Sequence, residues 1–219
     1  MNSKIQKRII TSIFLLSLLT LMFFYNFILI ISLIIIGIIS WIEFYALISK
    51  IFLKKDPKTI ILKFFYKFVS LLYLSILIYL IIVPKINDQY FEIVVIYSIL
   101  ISVMSDIGGL IIGKTFKGKK LTKISPNKTI SGSIGSFLFS LVLSTFFYQY
   151  FIKYDFVTFI LFTLFISLAS QVGDLLISLI KRKAKVKDTS DLLPGHGGFL
   201  DRIDGILIAL PIGLFVFNI

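Results

Sequence analysis

The chain contains no cysteine and a single histidine, His196. These absences exclude a disulfide framework, a Cys-ligated metal and any multi-histidine zinc site. Metal chemistry here has to use oxygen ligands. Charge is scarce as well: charged residues make up 16% of the 219, against 58% hydrophobic, and the mean hydropathy is +1.00. That balance cannot cover the surface of a water-soluble domain, which excludes a soluble globular enzyme. Acids are scarcest, 11 against 23 Lys and Arg for a formal charge of +12, yet long stretches carry no charge at all. Basic residues gathered between apolar blocks describe an all-α, polytopic integral membrane protein.

About seven stretches are long and apolar enough to span: roughly 9–25, 27–48, 64–83, 91–113, 131–150, 156–180 and 205–219. The first follows Lys4, Lys7 and Arg8 in the manner of a signal peptide. No small-residue cleavage site precedes the second block, so it reads as a retained helix, turned back at Tyr25-Asn26 into a hairpin. Orientation follows from counting Lys and Arg in alternate connections. The N-terminus holds three, and the segments 49–68, 114–128 and 181–202 hold six each, together 21 of the 23. The opposite connections hold only Lys85 and Lys153, which predicts a cytoplasmic N-terminus. The same topology accounts for the positive charge without nucleic-acid binding. No internal repeat is apparent, which weighs against an inverted-repeat transporter. The chain divides into residues 1–90, with about three helices, and residues 91–219, whose cytoplasmic loops 114–130 and 181–204 hold most of the chemistry.

Five of the acids lie between 174 and 204. Asp174 stands inside the sixth span, where a carboxylate costs about 2.5–3.5 kcal/mol and normally faces a protein interior, a cavity or a partner cation. Asp174, Ser178 and Lys181 recur at helical spacing and share a face. An intrahelical Asp-to-Lys tether and a metal ligand beside a phosphate-binding lysine both fit that pattern. Asp106 reads as a second buried acid, next to Gly108 and Gly109, with a polar contact between helices as its plainer explanation. Glu43, near the end of the second span, reads as interfacial.

The segment from Leu193 to Gly205, Leu-Pro-Gly-His-Gly-Gly-Phe-Leu-Asp-Arg-Ile-Asp-Gly, is the densest feature. Its glycines allow close backbone approach and leave N–H groups for an anion. Asp201 and Asp204 then open the last helix on one face. N-capping alone explains one such carboxylate; it does not call for His196 and Arg202 as well. Two of only three arginines, Arg182 and Arg202, fall in this region, where a planar bidentate grip on phosphate is something lysine cannot replace. The other loop places Ser125, Pro126, Lys128 and Thr129 just before a helix, whose N-terminus offers free N–H groups and a positive dipole end. Taken alone, a solvated basic loop held at anionic headgroups is the favoured explanation. Two phosphate-friendly loops with carboxylates and no Cys or multi-His alternative point to Mg2+ and to phosphoryl or nucleotidyl transfer at a membrane surface.

The run Ser178-Leu179-Ile180-Lys181-Arg182, Lys187-Asp188, then Leu193 through Asp204 resembles the signature of the phosphatidate cytidylyltransferase (CDP-diacylglycerol synthase) family. Gln171-Val172-Gly173-Asp174-Leu175, Ser125-Pro126-Asn127-Lys128-Thr129 and Asp106-Ile107-Gly108 with Gly113-Lys114 resemble that family's other blocks. The match runs in order over about the C-terminal half; the N-terminal half matches only in being helical. The resemblance implies reaction of CTP with phosphatidic acid to give CDP-diacylglycerol and pyrophosphate, with Mg2+ required and a monovalent cation as a further candidate. On the matching positions it implies that Asp174 and Asp201 hold the metal, with Asp204 beside them. Lys128, Lys181, Arg182 and Arg202 bind the triphosphate or the lipid headgroup, and Ser125, Lys187, Asp188 and His196 shape the site. Thr129, Ser178, Gly197, Gly198 and Asp106 complete the substrate-binding set. It further implies a bacterial inner membrane with a cytoplasmic active site, membrane lipids as partners and a homodimer.

The chain departs from the family's usual pattern at Ile130-Ser131, where Trp-Glu is common, at Ile177, where Glu is common, and at Leu110 and Lys114, where an aromatic and an arginine are common. It is also shorter than typical members, which implies one N-terminal helix fewer. Three rival readings share these features: a CTP-using enzyme acting on another lipid phosphate such as a polyprenol phosphate, a carrier whose Asp106 and Asp174 bind cations, and a nucleotide-binding relative without turnover.

Overall fold

The computed structural model describes residues 3–82, 89–195 and 197–217. Lys85 and His196, both used in the sequence argument, lie outside these residues. Among the described residues eight α-helices follow one another: α1 (Ser3–Phe24), α2 (Asn26–Ile51), α3 (Pro57–Ile82), α4 (Gln89–Phe116), α5 (Ile130–Phe147), α6 (Phe156–Lys183), α7 (Leu200–Ile203) and α8 (Ile206–Val216). A 3-10 turn, Tyr148–Tyr150, follows α5. Among the described residues there is no β-strand, only the isolated bridges Lys120 to Thr129 and Leu193 to Gly197.

Among the described residues five helical segments, Asn26–Ile51, Pro57–Ile82, Tyr90–Phe116, Ile130–Tyr150 and Phe156–Lys183, are long and apolar enough to cross a membrane. At 26 residues, α2 is about 39 Å long, more than the roughly 30 Å of a hydrocarbon core. Large apolar side chains such as Ile34, Ile38, Phe64, Phe68, Leu138 and Leu161 are exposed, which suits lipid rather than water. The protein is a polytopic helical membrane protein. The first and last apolar segments are shorter: the apolar part of α1 is Ile10–Met22, and α8 has 11 residues with Pro211 inside it.

Helix starts are set by side chains that satisfy the free amides of a first turn. Asp56 precedes α3 and accepts from Thr59 N at 3.1 Å and Thr59 Oγ1 at 2.7 Å, with Pro57 pre-set at the first helical position. Asp155 does the same for α6 through Thr158 N, 3.0 Å, and Thr158 Oγ1, 2.7 Å. Thr129 caps α5, accepting from Gly132 N at 3.1 Å.

The chain forms two compact units, Met1–Ile82 with Ile180–Arg202, and Val83–Leu179 with Ile203–Ile219. In the first, α2 packs on α1 and α3. Its buried face carries Ser32, Gly37, Ser40, Glu43 and Leu47 at helical spacing.

In the second unit α4 packs on α5 and α8 through small and hydroxyl residues. Ser136 Oγ donates to Ser105 O at 2.7 Å, Ser140 Oγ to Ser167 Oγ at 3.0 Å, and Ser102 and Ser170 share a bond of 2.8 Å. A Cβ on Gly135 would run into Ile112 and the Gly108 carbonyl, so glycine is what lets α4 and α5 close. Apolar packing contributes little between helices in lipid, and these contacts supply the specificity instead. Around Tyr97, whose hydroxyl meets Thr163 Oγ1 at 2.6 Å, the rings of Phe147, Phe151, Phe159 and Phe217 pack with centroids 5.0–6.0 Å away.

Candidate active site

In the second unit, Asp174 projects from α6 and its carboxylate is ion-paired with Lys128 Nζ, both side chains 25% exposed. Ser178, one turn on, donates to Asp174 Oδ1 at 3.3 Å. Lys128 is held in place by its loop. Leu121 N donates to Lys128 O at 2.8 Å, Lys128 N to Ser125 O at 3.1 Å and Ile130 N to Lys119 O at 3.0 Å, closing residues 117–129 into a tight turn just before α5. Ser125 therefore acts here through its backbone carbonyl, and Thr129 as the α5 cap. Ser133 Oγ donates to Gln171 Oε1 at 2.5 Å, tying the first turns of α5 to α6.

In the first unit, Asp201 opens the short α7 and is more enclosed. Lys181 Nζ lies 2.6 Å from Asp201 Oδ1, with the side chains 13% and 7% exposed. Asp201 Oδ2 accepts from Thr189 N at 2.8 Å, Thr189 Oγ1 at 3.0 Å and Gly198 N at 3.2 Å. Burial pushes the Asp201 carboxyl up, but the Lys181 ammonium and the Thr189 and Gly198 amides more than offset it, so it titrates below the ordinary aspartate value.

Several sequence expectations change at this point. Asp174 and Lys181 are not tethered to each other; each pairs with a residue from a loop, Lys128 and Asp201 respectively. Seven residues apart on a helix is about 10 Å of rise, too far for a direct pair. Lys181 and Arg182 stand in the last turn of α6 rather than in a loop. Asp106 is exposed, not buried. The packed face of α4 runs through Ser98, Ile101, Ser102, Ser105 and Gly108, and the residue after Ser105 turns about 100° away from it. Asp201 and Asp204 do not open the last helix together, since α8 begins at Ile206. Asp204 is buried in the second unit with its Oδ1 accepting from Gly205 N at 3.0 Å.

The Gly-rich loop also differs. Gly195 and Gly197 have φ of 80° and 81°, the left-handed region that favours glycine. The amides that follow are not left for an external anion: Gly198 N serves Asp201, while Phe199 N and Leu200 N donate to Glu43 at 3.1 and 2.8 Å. Glu43, expected at the interface, is 3% exposed. Its position on the Ser32, Gly37, Ser40 and Leu47 face of α2 was the overlooked signal. Lys187, Asp188, Arg182 and Arg202 are exposed.

The departures from the family pattern are accommodated locally. Ser131 Oγ bonds Thr129 Oγ1, 3.0 Å away, and the Lys117 carbonyl, while Ile177 is buried as an apolar side chain.

The model of the cytidylyltransferase family matches residues 1–219. The chain belongs to the cytidylyltransferase family. Similar proteins include the phosphatidate cytidylyltransferase of Bacillus subtilis (strain 168), 41% identical over 133 residues, 59% of this chain and 49% of that protein. Those of Staphylococcus aureus (strain COL), 42% identical over 121 residues (54% and 46%), and Helicobacter pylori (strain J99), 38% over 113 residues (52% and 42%), are comparable. The chain spans about half the length of the curated relatives it matches.

For this cytidylyltransferase-family chain the donor set suits Mg2+. Both candidate acids are carboxylates, and Mg2+ takes one or two of these and completes its shell with waters and substrate phosphate oxygens. No group of three or more His, Cys, Asp or Glu able to hold a metal forms among the described residues, so an all-protein cage is not what these residues build. Each candidate acid is instead paired with a lysine, which leaves a cation and a carboxylate side by side.

Proposed function

We propose that the chain transfers CMP from CTP to phosphatidic acid, giving CDP-diacylglycerol and pyrophosphate. The observation that carries the reading is the pairing of the two family acids with the two family lysines, Asp174 with Lys128 and Asp201 with Lys181, in a chain of the cytidylyltransferase family. The names of the relatives support the same substrates. The phosphatidate oxygen is already ionised near neutral pH, so no strong general base is required. It attacks the α-phosphorus of CTP, and the bond to the β-phosphate oxygen breaks to release pyrophosphate.

Bringing two anions together is then the main barrier, and the chain's own residues address it. Lys128 and Lys181 supply positive charge beside Asp174 and Asp201, while Arg182, Arg202 and Lys187 offer exposed cations to the triphosphate or the headgroup. Asp174 and Asp201 are each candidates to hold Mg2+, which would supply positive charge to the triphosphate. The finer parts of the reading are seven spans with a cytoplasmic N-terminus, a site on the cytoplasmic face of a bacterial inner membrane, a homodimer and assistance by a monovalent cation. The lysine and arginine count of alternate connections supports the orientation.

The test is pyrophosphate release by the purified protein in detergent with Mg2+, CTP and phosphatidic acid, beside arms with ATP and with polyprenol phosphate. Turnover that requires CTP and phosphatidic acid is expected. Turnover with the polyprenol phosphate alone, or none from a folded protein that binds CTP, overturns the reading.

A further inference from the structure

Glu43 lies outside the motif blocks read from the sequence, yet it accepts as many donors as Asp201 does. Its Oε1 accepts from Ser190 Oγ at 2.5 Å and Phe199 N at 3.1 Å, and its Oε2 from Thr189 Oγ1 at 2.9 Å and Leu200 N at 2.8 Å. Four donors converge on two oxygens, which a carboxylate can accommodate and an amide or hydroxyl cannot. The donors come from both arms of the loop, residues 189–190 and 199–200, so one side chain clamps the segment that carries the left-handed glycines.

The same loop residues hold Asp201. Thr189 gives Asp201 its amide and lies with its hydroxyl 3.0 Å from Asp201 and 2.9 Å from Glu43, so a single hydroxyl proton serves two carboxylates. Three consecutive amides are divided between the two acids, Gly198 N to Asp201 and Phe199 N and Leu200 N to Glu43. The fit depends on glycine: a Cβ on Gly198 would lie 2.6 Å from each Glu43 oxygen and collide with Thr189 Oγ1. From α1, Thr11 Oγ1 adds a bond of 3.1 Å to Pro194 O in the same loop.

We propose that Glu43 is a positioning residue for Asp201, setting the direction of that carboxylate through the shared Thr189 hydroxyl and the backbone of residues 198–200. This rests on the reading of Asp201 as a metal-holding acid in a CTP-dependent transfer. Both Glu43 oxygens are taken up by protein donors, so its role is to act through Asp201. Groups that orient a metal-holding side chain typically cost 10–100-fold in metal affinity or activity when removed.

The test uses the full chain in detergent with Glu43→Gln, Thr189→Val and Thr189→Ser. Three quantities are read: amide hydrogen exchange over residues 197–201, Mn2+ affinity in the presence of CTP by electron paramagnetic resonance, and the Mg2+ concentration giving half-maximal pyrophosphate release. Gln keeps one acceptor and turns an NH2 group toward donors. Glu43→Gln is expected to speed exchange in the loop, weaken Mn2+ about ten-fold or more and raise the Mg2+ requirement by a similar factor. Thr189→Val follows it in the same direction, Thr189→Ser restores wild-type values, and the double variant is no worse than Glu43→Gln alone. Unchanged exchange and unchanged Mn2+ affinity in Glu43→Gln overturn the proposal, as does lost turnover with a normal metal response. If Glu43→Gln fails to fold, Thr189→Val decides alone, and a wild-type metal response in it overturns the proposal. If the wild-type chain releases no pyrophosphate, the function reading fails, while the exchange and Mn2+ arms still judge the clamp.

Discussion

Asp174 and Asp201 carry the same expectation, yet the protein treats them differently. Asp174 is a quarter exposed and held by one lysine and one distant hydroxyl. Asp201 is nearly enclosed and held by one lysine and three further donor contacts. A carboxylate with few partners can reorient at little cost, whereas one in a filled cradle keeps its direction. The two carboxylates thus differ in how firmly they are held: Asp201 is fixed in direction by several partners, and Asp174 reorients more cheaply.

The largest expected effect tests what the two have in common. Asp174→Ala and Asp201→Ala should each lower pyrophosphate release by about 10²–10³-fold, the range for removing one electrostatic stabiliser of a transition state. Full activity in either variant breaks the parallel. Their lysines should then separate them. Lys181→Met removes a charged bond from an enclosed partner and is expected to cost about 1.5–3 kcal/mol of stability in thermal denaturation in detergent, whereas Lys128→Met, at a more exposed pair, should cost about 1 kcal/mol or less. Equal costs would mean that the two environments do not differ energetically.

Gly197→Ala comes next. Its φ of 81° and a Cβ that would lie 3.0 Å from Asp201 Oδ2 predict a loss of at least about 1–2 kcal/mol together with a weakened response to Mg2+. Gly118, also at positive φ but with a Cβ in ordinary contact 3.7 Å from Ser131 Oγ, should show the conformational cost alone.

The smallest effect is in acid. A carboxyl whose folded pKa is lowered stabilises the fold above its unfolded pKa of about 3.9 and loses that contribution as pH falls through the folded value. Stability attributable to Asp201 should therefore be constant from pH 7 to about 5 and decline below about 4. Asp201→Asn, compared with wild type by melting at each pH, should flatten that decline. Asp56 and Asp155, lowered by their bonds to Thr59 and Thr158, decline in the same window and serve as controls at exposed helix caps.

The helices were readable because a chain that crosses lipid must satisfy its backbone internally over some twenty apolar residues, and such runs stand out. That Asp174 faces a partner cation was readable, since a carboxylate at membrane depth normally needs one. Which charge meets which was not: the i to i+7 pattern on α6 suggested Asp174 with Lys181, and the loops supplied nearer partners to both. The Gly-rich loop was legible as an anion nest, but no sequence pattern says that the anion is the protein's own Glu43. Asp106 was misplaced because its small neighbours define a packed face that it does not share.

The clamp joins residues 146 to 157 positions apart in the chain. During synthesis Glu43 is made well before its donors, so the loop cannot settle until residues 189–200 have emerged and the long intervening segment has been closed. A ribosome-bound or prematurely ended product that already carries Asp174 and Lys128 still lacks the contacts that organise Asp201. Order at Asp201 is therefore acquired late, after the residues of the Asp174–Lys128 pair have already been made.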